Sequence, residues 1–474
     1  MSTHADTQHG HEVIPPPDPR RWRALAVLAI AQFMLILDIT VVTVALPDIG
    51  RDLELSRAAA TWVVTAYTLL FGGLMIFGGR AADLFGARRT VFTGLAIFTA
   101  SSLLAGSAIN APMLIGARVG QGIGAALLSP AAMSILTTTF HGAGRNRALS
   151  VWGALGGTGA AFGVLTGGLL TAGPGWPWIF FVNVPVGIVL LALIPAVVPA
   201  TPARPGHRID AVGAILATTA TGAALYGLIT AGDDGWGNPR AVIPLLVAAV
   251  LLAAFIGYER STAEPLLDPA LLLRRPIAAG AILMLVATGL LITSFFLGSF
   301  YLQQAQGNSA LSTGLLFLPV ALGTIAGAHH AGHLIGRFGY RPVGVSGLLV
   351  AATGAAIPGL WHGTLPLLIG LTVAAAGQGA VIVTATTTAL ATVDHAHAGV
   401  TSGLVNTFHE VGTALGVAVM STIAAVSLRT LGVDTGGFTM AFTLCAITAL
   451  VMAIAAATFV PMGKPAEGMR VSAH

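Results

Sequence analysis

The stretch GGRAADLFGARR, Gly78 to Arg89, joins two strongly apolar runs and packs one acid, three arginines and three glycines into a tight turn. A weaker copy, GHLIGRFGYR, stands at Gly332 to Arg341, again between two apolar runs. In register, Gly79, Phe85, Gly86 and Arg88 match Gly332, Phe338, Gly339 and Arg341. A charged turn between apolar segments, used twice, predicts a chain built from two similar halves.

The composition says which medium those halves occupy. Of 474 residues, 55% are hydrophobic and 8% charged, with mean hydropathy +0.85. A soluble domain of this size does not carry so few charges, so the class is an all-α polytopic membrane protein. Apolar runs near twenty residues recur along the chain, each long enough to cross a hydrocarbon core about 30 Å thick. Fourteen transmembrane helices are expected, near 24–46, 60–79, 90–109, 111–138, 148–172, 177–199, 209–231, 240–257, 277–301, 311–333, 342–361, 364–391, 400–428 and 438–461. The longest polar connection, about 258–276, is too short for a catalytic domain.

Arginine placement predicts the topology. The first residues are polar, with Pro15 to Pro17 followed by Arg20, Arg21 and Arg23, and read as a retained cytoplasmic tail over 1–23 rather than a cleaved signal. With both ends cytoplasmic, inner segments hold seventeen Lys and Arg: 20, 21, 23, 80, 88, 89, 145, 147, 204, 208, 260, 274, 275, 337, 341, 464 and 470. The other side holds four, Arg51, Arg57, Arg240 and Arg429. This positive-inside bias supports a multi-pass protein of the cytoplasmic membrane. The net charge of +4 thus reports topology and does not point to nucleic acid.

Two scarce residues exclude functions. Cys445 is the only cysteine, so an internal disulfide and a thiolate metal cluster are excluded. Lys464 is the only lysine and lies in the terminal segment 462–474. A phosphate-binding GxxxxGK[ST] loop is therefore impossible, as are a buried retinal Schiff base and proton pumping through intramembrane lysines.

Three full charges fall well within the apolar runs: Asp38, Arg118 and Glu410. Each costs about 2.5–3.5 kcal/mol at the bilayer centre on insertion scales, so each is a functional candidate. At a rise of 1.5 Å per residue, Asp38 and Arg118 come to a similar depth and can pair. One reading is a static ion pair that orients two helices. The other is an acid whose proton affinity burial raises, Arg118 lowers and an arriving substrate tips. Ser402, Asn406, Glu410 and Thr413 share one helix face at 4-4-3 spacing. That stripe faces either a cavity or a neighbouring helix, where Glu410 would be protonated and hydrogen-bonded. His409 points about 100° away from Glu410 and is not automatically its partner. HEVGT places Thr413 where a zincin needs its second histidine, and His329, His330 and His333 lack a companion carboxylate, so no metal site is assigned. Gly159, Gly163 and Gly167 recur every four residues, with Gly168 alongside. They admit a close neighbouring helix, as tight packing alone or as a seam that must slide without leaking protons.

At this point the motifs resemble those of the major facilitator superfamily, and within it the fourteen-span drug:proton antiporters that export quaternary-ammonium compounds and antibiotics. GGRAADLFGARR resembles the superfamily's loop between spans 2 and 3, and LDITVVTVALP, Leu37 to Pro47, the span 1 motif of this subgroup. RVGQGIGAA, Arg118 to Ala126, is similar to the span 4 motif whose arginine is implicated in proton transfer, and GAAFGVLTGG, Gly159 to Gly168, to the span 5 antiporter motif. WPWIFFVNVPVG, Trp176 to Gly187, and the stretch YLQQAQGNSALSTGLLFLP ending at Pro319 also fit. Four positions depart from the pattern: Val164 replaces a usual proline, Gly336 stands where the first loop has Asp83, and His409-Glu410 stands where relatives often have Arg-Gln.

The resemblance implies a monomeric, cofactor-free, non-enzymatic transporter with two pseudo-symmetric six-helix bundles, 24–199 and 277–461, and an inserted two-helix linker over 200–276. It implies proton coupling at Asp38 and Arg118, to which Glu410 is added as the third intramembrane charge, and a cytoplasmic gate of Gly79, Asp83, Gly86, Arg88 and Arg89. An antiporter helix would carry Gly159, Gly163, Gly167 and Gly168. Trp62, Tyr67, Gln121 and Asn406 are the candidate cavity residues, although aromatic packing explains Trp62 and Tyr67 nearly as well. The expected partners are protons, the bilayer and a small lipophilic substrate, cationic if Glu410 is ionised and equally well neutral if it is protonated. A proton-coupled exporter or importer of one native metabolite is the alternative.

Overall fold

The computed structural model describes residues 20–140, 142–200, 210–262, 265, 273–391, 398–430 and 434–464. Residues 1–19, Arg204, Arg208 and Arg470, and the side chain of Arg145, lie outside that description. Every regular element among the described residues is helical. The chain runs α1 Arg21–Asp52, α2 Arg57–Phe85, α3 Ala87–Gly106, α4 Ala111–Thr139, α5 Gly142–Ala172, α6 Trp178–Phe181, α7 Asn183–Val197, α8 Ala211–Asp234 and α9 Pro239–Ser261. It continues as α10 Arg275–Phe300, a π-helical turn Tyr301–Ala305, α11 Ala310–Leu316, α12 Leu318–Phe338, α13 Tyr340–Leu360, α14 Thr364–Leu390, α15 Ala398–Ile423, α16 Ala425–Arg429 and α17 Gly436–Phe459.

Among the described residues, twelve segments are long and apolar enough to cross a membrane, against the fourteen expected. The two left uncounted are α5 and α15, 31 and 26 residues long. Within α5 the apolar stretch found among the described residues is Ala161–Ala172, and α15 carries Asn406, His409 and Glu410 in mid-helix. Most helices overrun their apolar runs, as in α1, which extends to Asp52 rather than ending near 46. Expected spans 6, 10 and 13 are each divided, at Val182, Phe317 and Ala424.

Local chemistry sets the helix starts. The side chains of Ser56, Asn110, Asp210, Asn238 and Ser309 each accept a backbone N–H of the following first turn, satisfying donors that have no partner inside the helix. The two matched turns are single glycines: Gly86, φ 88°, between α2 and α3, and Gly339, φ 90°, between α12 and α13. A side chain is strained in that conformation, which is why both copies of the loop keep glycine there.

Helix contacts repeat along the chain. α2 packs on α4, α3 on α4 and on α7, and α1 on α5; the same pairings recur as α12 on α14, α13 on α14 and on α17, and α10 on α15. Between these sets, α2 meets α15, α5 meets α11 and α12, and α1 meets α10. α8 lies against both α2 and α15, and α9 packs on α8.

The arginines repeat too. Arg20 and Arg88 donate to the carbonyls of Ala196 (3.4 Å) and Val198 (3.4 Å) at the end of α7. Arg275 and Arg341 donate to Phe459 (3.0 Å) and Val460 (2.7 Å) at the end of α17. The last carbonyls of a helix lack intrahelical partners and carry its negative dipole end, so each cation contributes about 0.3–1 kcal/mol.

Candidate functional site

Five helices converge on Asp38. It lies in α1 and is 1% exposed, as is Arg118 in α4. An Arg118 guanidinium N–H donates to the Asp38 carboxylate and to Gln121 Oε1 at 2.8 Å, while Nε donates to the Val63 carbonyl at 2.9 Å. Gln121 Nε2 donates to the other Asp38 oxygen at 3.1 Å and to Ser102 Oγ of α3 at 2.9 Å. Asn183, at the start of α7, reaches the same Asp38 oxygen at 3.4 Å. The guanidinium carbon stands 4.4 Å from the ring centre of Tyr67, whose hydroxyl donates to the Leu35 carbonyl at 3.2 Å.

A charge pair cut off from water is tolerated only when its remaining donors and acceptors are met. Here α2 supplies a carbonyl and a ring face to Arg118, and α3, α4 and α7 supply the amides and hydroxyl around Asp38. Arg118 and Asp38 thus meet as their matched depths suggest. Tyr67 and Gln121 belong to this sealed network, both 0% exposed, rather than to an open cavity wall. Ser102 and Asn183 were missed in the sequence. The available signal for Asn183 was an amide within an apolar run, two residues before Pro185.

A cleft of about 320 Å³ opens between α2, α4, α5 and α15 toward the Gly86 end of the molecule. Met75, Arg80, Asp83, Met133, Trp152 and Asn406 are among its walls. Ser402 and Asn406 line it, and Glu410, one turn further along α15, lies beyond its inner end, 4% exposed. Glu410 Oε1 is 3.1 Å from His409 Nδ1, so these neighbours do meet despite their 100° offset. Glu410 Oε2 has no hydrogen-bond partner among the described residues. The Glu410 Cβ would stand 2.5 Å from any Cβ at position 72, so the glycine there lets α2 and α15 close up. Tyr67 and Gly72 are five residues apart on α2, about 7.5 Å, so this one helix touches both acid sites.

The other expected residues divide. Gly159, Gly163 and Gly167 face α1: a Cβ at 159 would be 2.7 Å from Ile36 Cγ2, one at 163 would overlap the Thr40 hydroxyl, and one at 167 would be 3.0 Å from the Val41 carbonyl. Gly168 instead faces α11, where a Cβ would be 2.8 Å from the Ala310 carbonyl. Trp62 packs with Leu69, Leu225 and Ile229 at the seam of α2, α8 and α15, away from the cleft. Gly79 and Asp83 line the cleft, and Asp83 has no ion pair or hydrogen bond among the described residues. Arg88 is held by the end of α7, and Arg89 is exposed. His330 and His333 bond to backbone carbonyls of their own helix.

The opposite, Arg57, end is sealed. Ser299 and Gln303 of α10 and the following π turn donate to the Val44 carbonyl of α1, at 3.4 and 2.7 Å. Arg57 and Thr61 of α2 bond to Ser421 of α15, at 3.2 and 3.1 Å. The molecule therefore holds a cleft open at one end, closed at the other, with two buried acids near its middle.

Known proteins resemble this chain in sequence and in fold. The family model described as Major Facilitator Superfamily matches residues 28–417 and 277–472. A puromycin resistance protein of Streptomyces alboniger is 40% identical over 86% of this chain and 82% of its own. A lincomycin resistance protein of Streptomyces lincolnensis is 36% identical over 93% of this chain and 92% of its own. Among solved structures, an inward-facing, unoccupied bacterial homologue of the human lysosomal transporter Spinster superposes with TM-score 0.64 over 95% of this chain and all of its own, at 19% identity. The repeated glycine turn, the repeated helix contacts and these matches lead to one assignment: this multi-pass membrane chain is a transporter of the Major Facilitator Superfamily, not an enzyme.

Proposed function

We propose that this chain exports lipophilic small molecules, antibiotics among them, in exchange for protons across the cytoplasmic membrane. Its fourteen spans form two six-helix bundles, 24–199 and 277–461, joined by the helix pair within 200–276, and both chain ends are cytoplasmic. The Gly86 end is then the cytoplasmic face and the Arg57 end the outer face, so the cleft between α2, α4, α5 and α15 admits cargo from inside. The names of the two Streptomyces relatives, resistance proteins for puromycin and lincomycin, support the cargo class.

The observation that carries the coupling is the sealed Asp38–Arg118–Gln121 network. Asp38 is the acid whose charge is matched by a single guanidinium, and protonating it would leave Arg118 held by Val63, Gln121 and the Tyr67 ring. The pair would then weaken and α1 and α4 could shift. A proton taken from outside and released inside would drive the cycle, with the membrane potential contributing about 2.3 kcal/mol per charge per 100 mV. Glu410, beyond the end of the cleft with one oxygen unpartnered, is the second acid and the counter-charge for a cationic cargo.

The test is a drug-resistance panel in an efflux-deficient host, with and without an uncoupler, for the parent and Asp38→Asn. Expected are resistance in the parent, cargo accumulation that rises when the proton gradient collapses, and loss of resistance in Asp38→Asn at normal membrane expression. Normal efflux by Asp38→Asn would remove this acid from the coupling.

A further inference from the structure

We propose that α8, the first of the two inserted helices, is the clamp of the outer gate, with Asp233 as the residue that holds Arg57 in the closed position. This rests on the alternating-access reading above. Arg57 stands at the first turn of α2 with its side chain 2% exposed, although it is one of the few arginines on its face of the molecule. Its guanidinium spans three helices. Nε donates to Asp233 Oδ1 of α8 at 2.8 Å, one terminal nitrogen donates to Ser421 Oγ of α15 at 3.2 Å, and the other donates to the Ile229 carbonyl of α8. Asp233 is the only carboxylate paired with it among the described residues.

α8 is tied to the far side as well. Thr422 of α15 donates to the Leu228 carbonyl at 2.8 Å, and Arg429 of α16 donates to the Asp233 carbonyl at 3.3 Å. A small seam of Leu69, Leu225, Ile229, Ala414 and Ala418 continues the three-helix contact inward. α8 therefore bridges α2 and α15, the helices that must part at this end if cargo is to leave here. Arg57 also lines a space of about 320 Å³ with Glu54, Phe296, Phe300 and Gln304, at the sealed end.

The charge logic fixes the direction. Removing the carboxylate leaves a buried guanidinium without its counter-charge, which penalises the closed arrangement that buries it and not an open one that lets water reach it. A helix pair that only filled space would carry no such penalty.

The test is reagent access to single-cysteine reporters in a Cys445→Ala background: Gln304→Cys beside Arg57 at the closed end, where the native side-chain oxygen is buried, and Ser134→Cys in the cleft. Labelling by a membrane-impermeant maleimide is timed in intact cells and in everted vesicles. In Asp233→Asn, labelling at position 304 should rise by roughly three- to tenfold over the parent and labelling at 134 should fall, while Asp233→Glu stays within about twofold. Thr422→Val, an isosteric loss of the second tie, should raise labelling at 304 by about twofold, and it decides the matter if Asp233→Asn does not fold. Unchanged labelling at 304 in the folded variants overturns the clamp. A reversed membrane orientation would change which preparation exposes each reporter but not the variant-to-parent ratio. Failure of the export reading would show in the parent's drug panel and leaves the labelling unaffected.

Discussion

Glu410 and Asp38 are both buried acids, and their surroundings differ in one decisive respect. Asp38 accepts from Arg118, Gln121 and Asn183, so its charge is matched and both oxygens are used. Glu410 meets only the half-buried His409 and leaves Oε2 unpartnered among the described residues. An unmet carboxylate oxygen beside a cleft is a place for a donor or a cation. Glu410→Gln should therefore cut export of quaternary-ammonium dyes by about tenfold or more while neutral drugs keep about half their rate, measured as efflux from preloaded cells. Equal loss for both cargo classes would refute the counter-charge role. The sequence brought these charges into view through the insertion cost of any intramembrane acid. It could not show that His409 bonds back to its neighbour, because side-chain torsions override the nominal angle between adjacent helical positions.

The glycines act at the level of whole elements. Gly163 lets α5 lie directly against Thr40 of α1, and Gly168 lets the same helix lie against α11 on its other side. α5 thus touches helices from both repeated sets through its own backbone, as a sliding seam would require. Val164, where the family pattern has proline, keeps its backbone carbonyl turned to Gly314, where a Cβ would press on it. A side chain at 163 must push α1 away, and overpacking of this kind costs about 1–3 kcal/mol. Gly163→Val should abolish efflux with the protein still in the membrane. Gly163→Ala should be impaired in part and recover when combined with Thr40→Ala, which removes the overlapped hydroxyl. Retained efflux in Gly163→Val would show that the close approach is not needed. The four-residue spacing was legible in the sequence, but the identity of the facing helices was not.

At the scale of the whole molecule, the duplicated loop has a shared structural task. Arg88 and Arg341, matched in the sequence, bind the ends of α7 and α17, the helices in equivalent places of the two contact patterns. These arginines thereby help hold each set of helices together, Arg88 on α7 and Arg341 at the end of α17. Arg88→Ala and Arg341→Ala should each lower the melting temperature by a similar small amount, about 1–3 °C, and the double variant by the sum, in a detergent thermal-shift measurement. A large effect from one and none from the other would break the equivalence.

The sequence by itself determined the medium, the helical class and the repeat, since each follows from local quantities: hydropathy over twenty residues and the glycine that a positive φ demands. It also put Asp38 and Arg118 at one depth, because helical rise is fixed. Only the tertiary structure decided that Ser102 and Asn183 complete their shell, that Trp62 faces α8 instead of the cleft, and that α8 reaches Arg57. Those outcomes depend on which helix faces which, and in a bilayer every apolar face is nearly equivalent to lipid. Close backbone approach at particular glycines and a few buried polar contacts make that choice, and both join residues far apart in the chain.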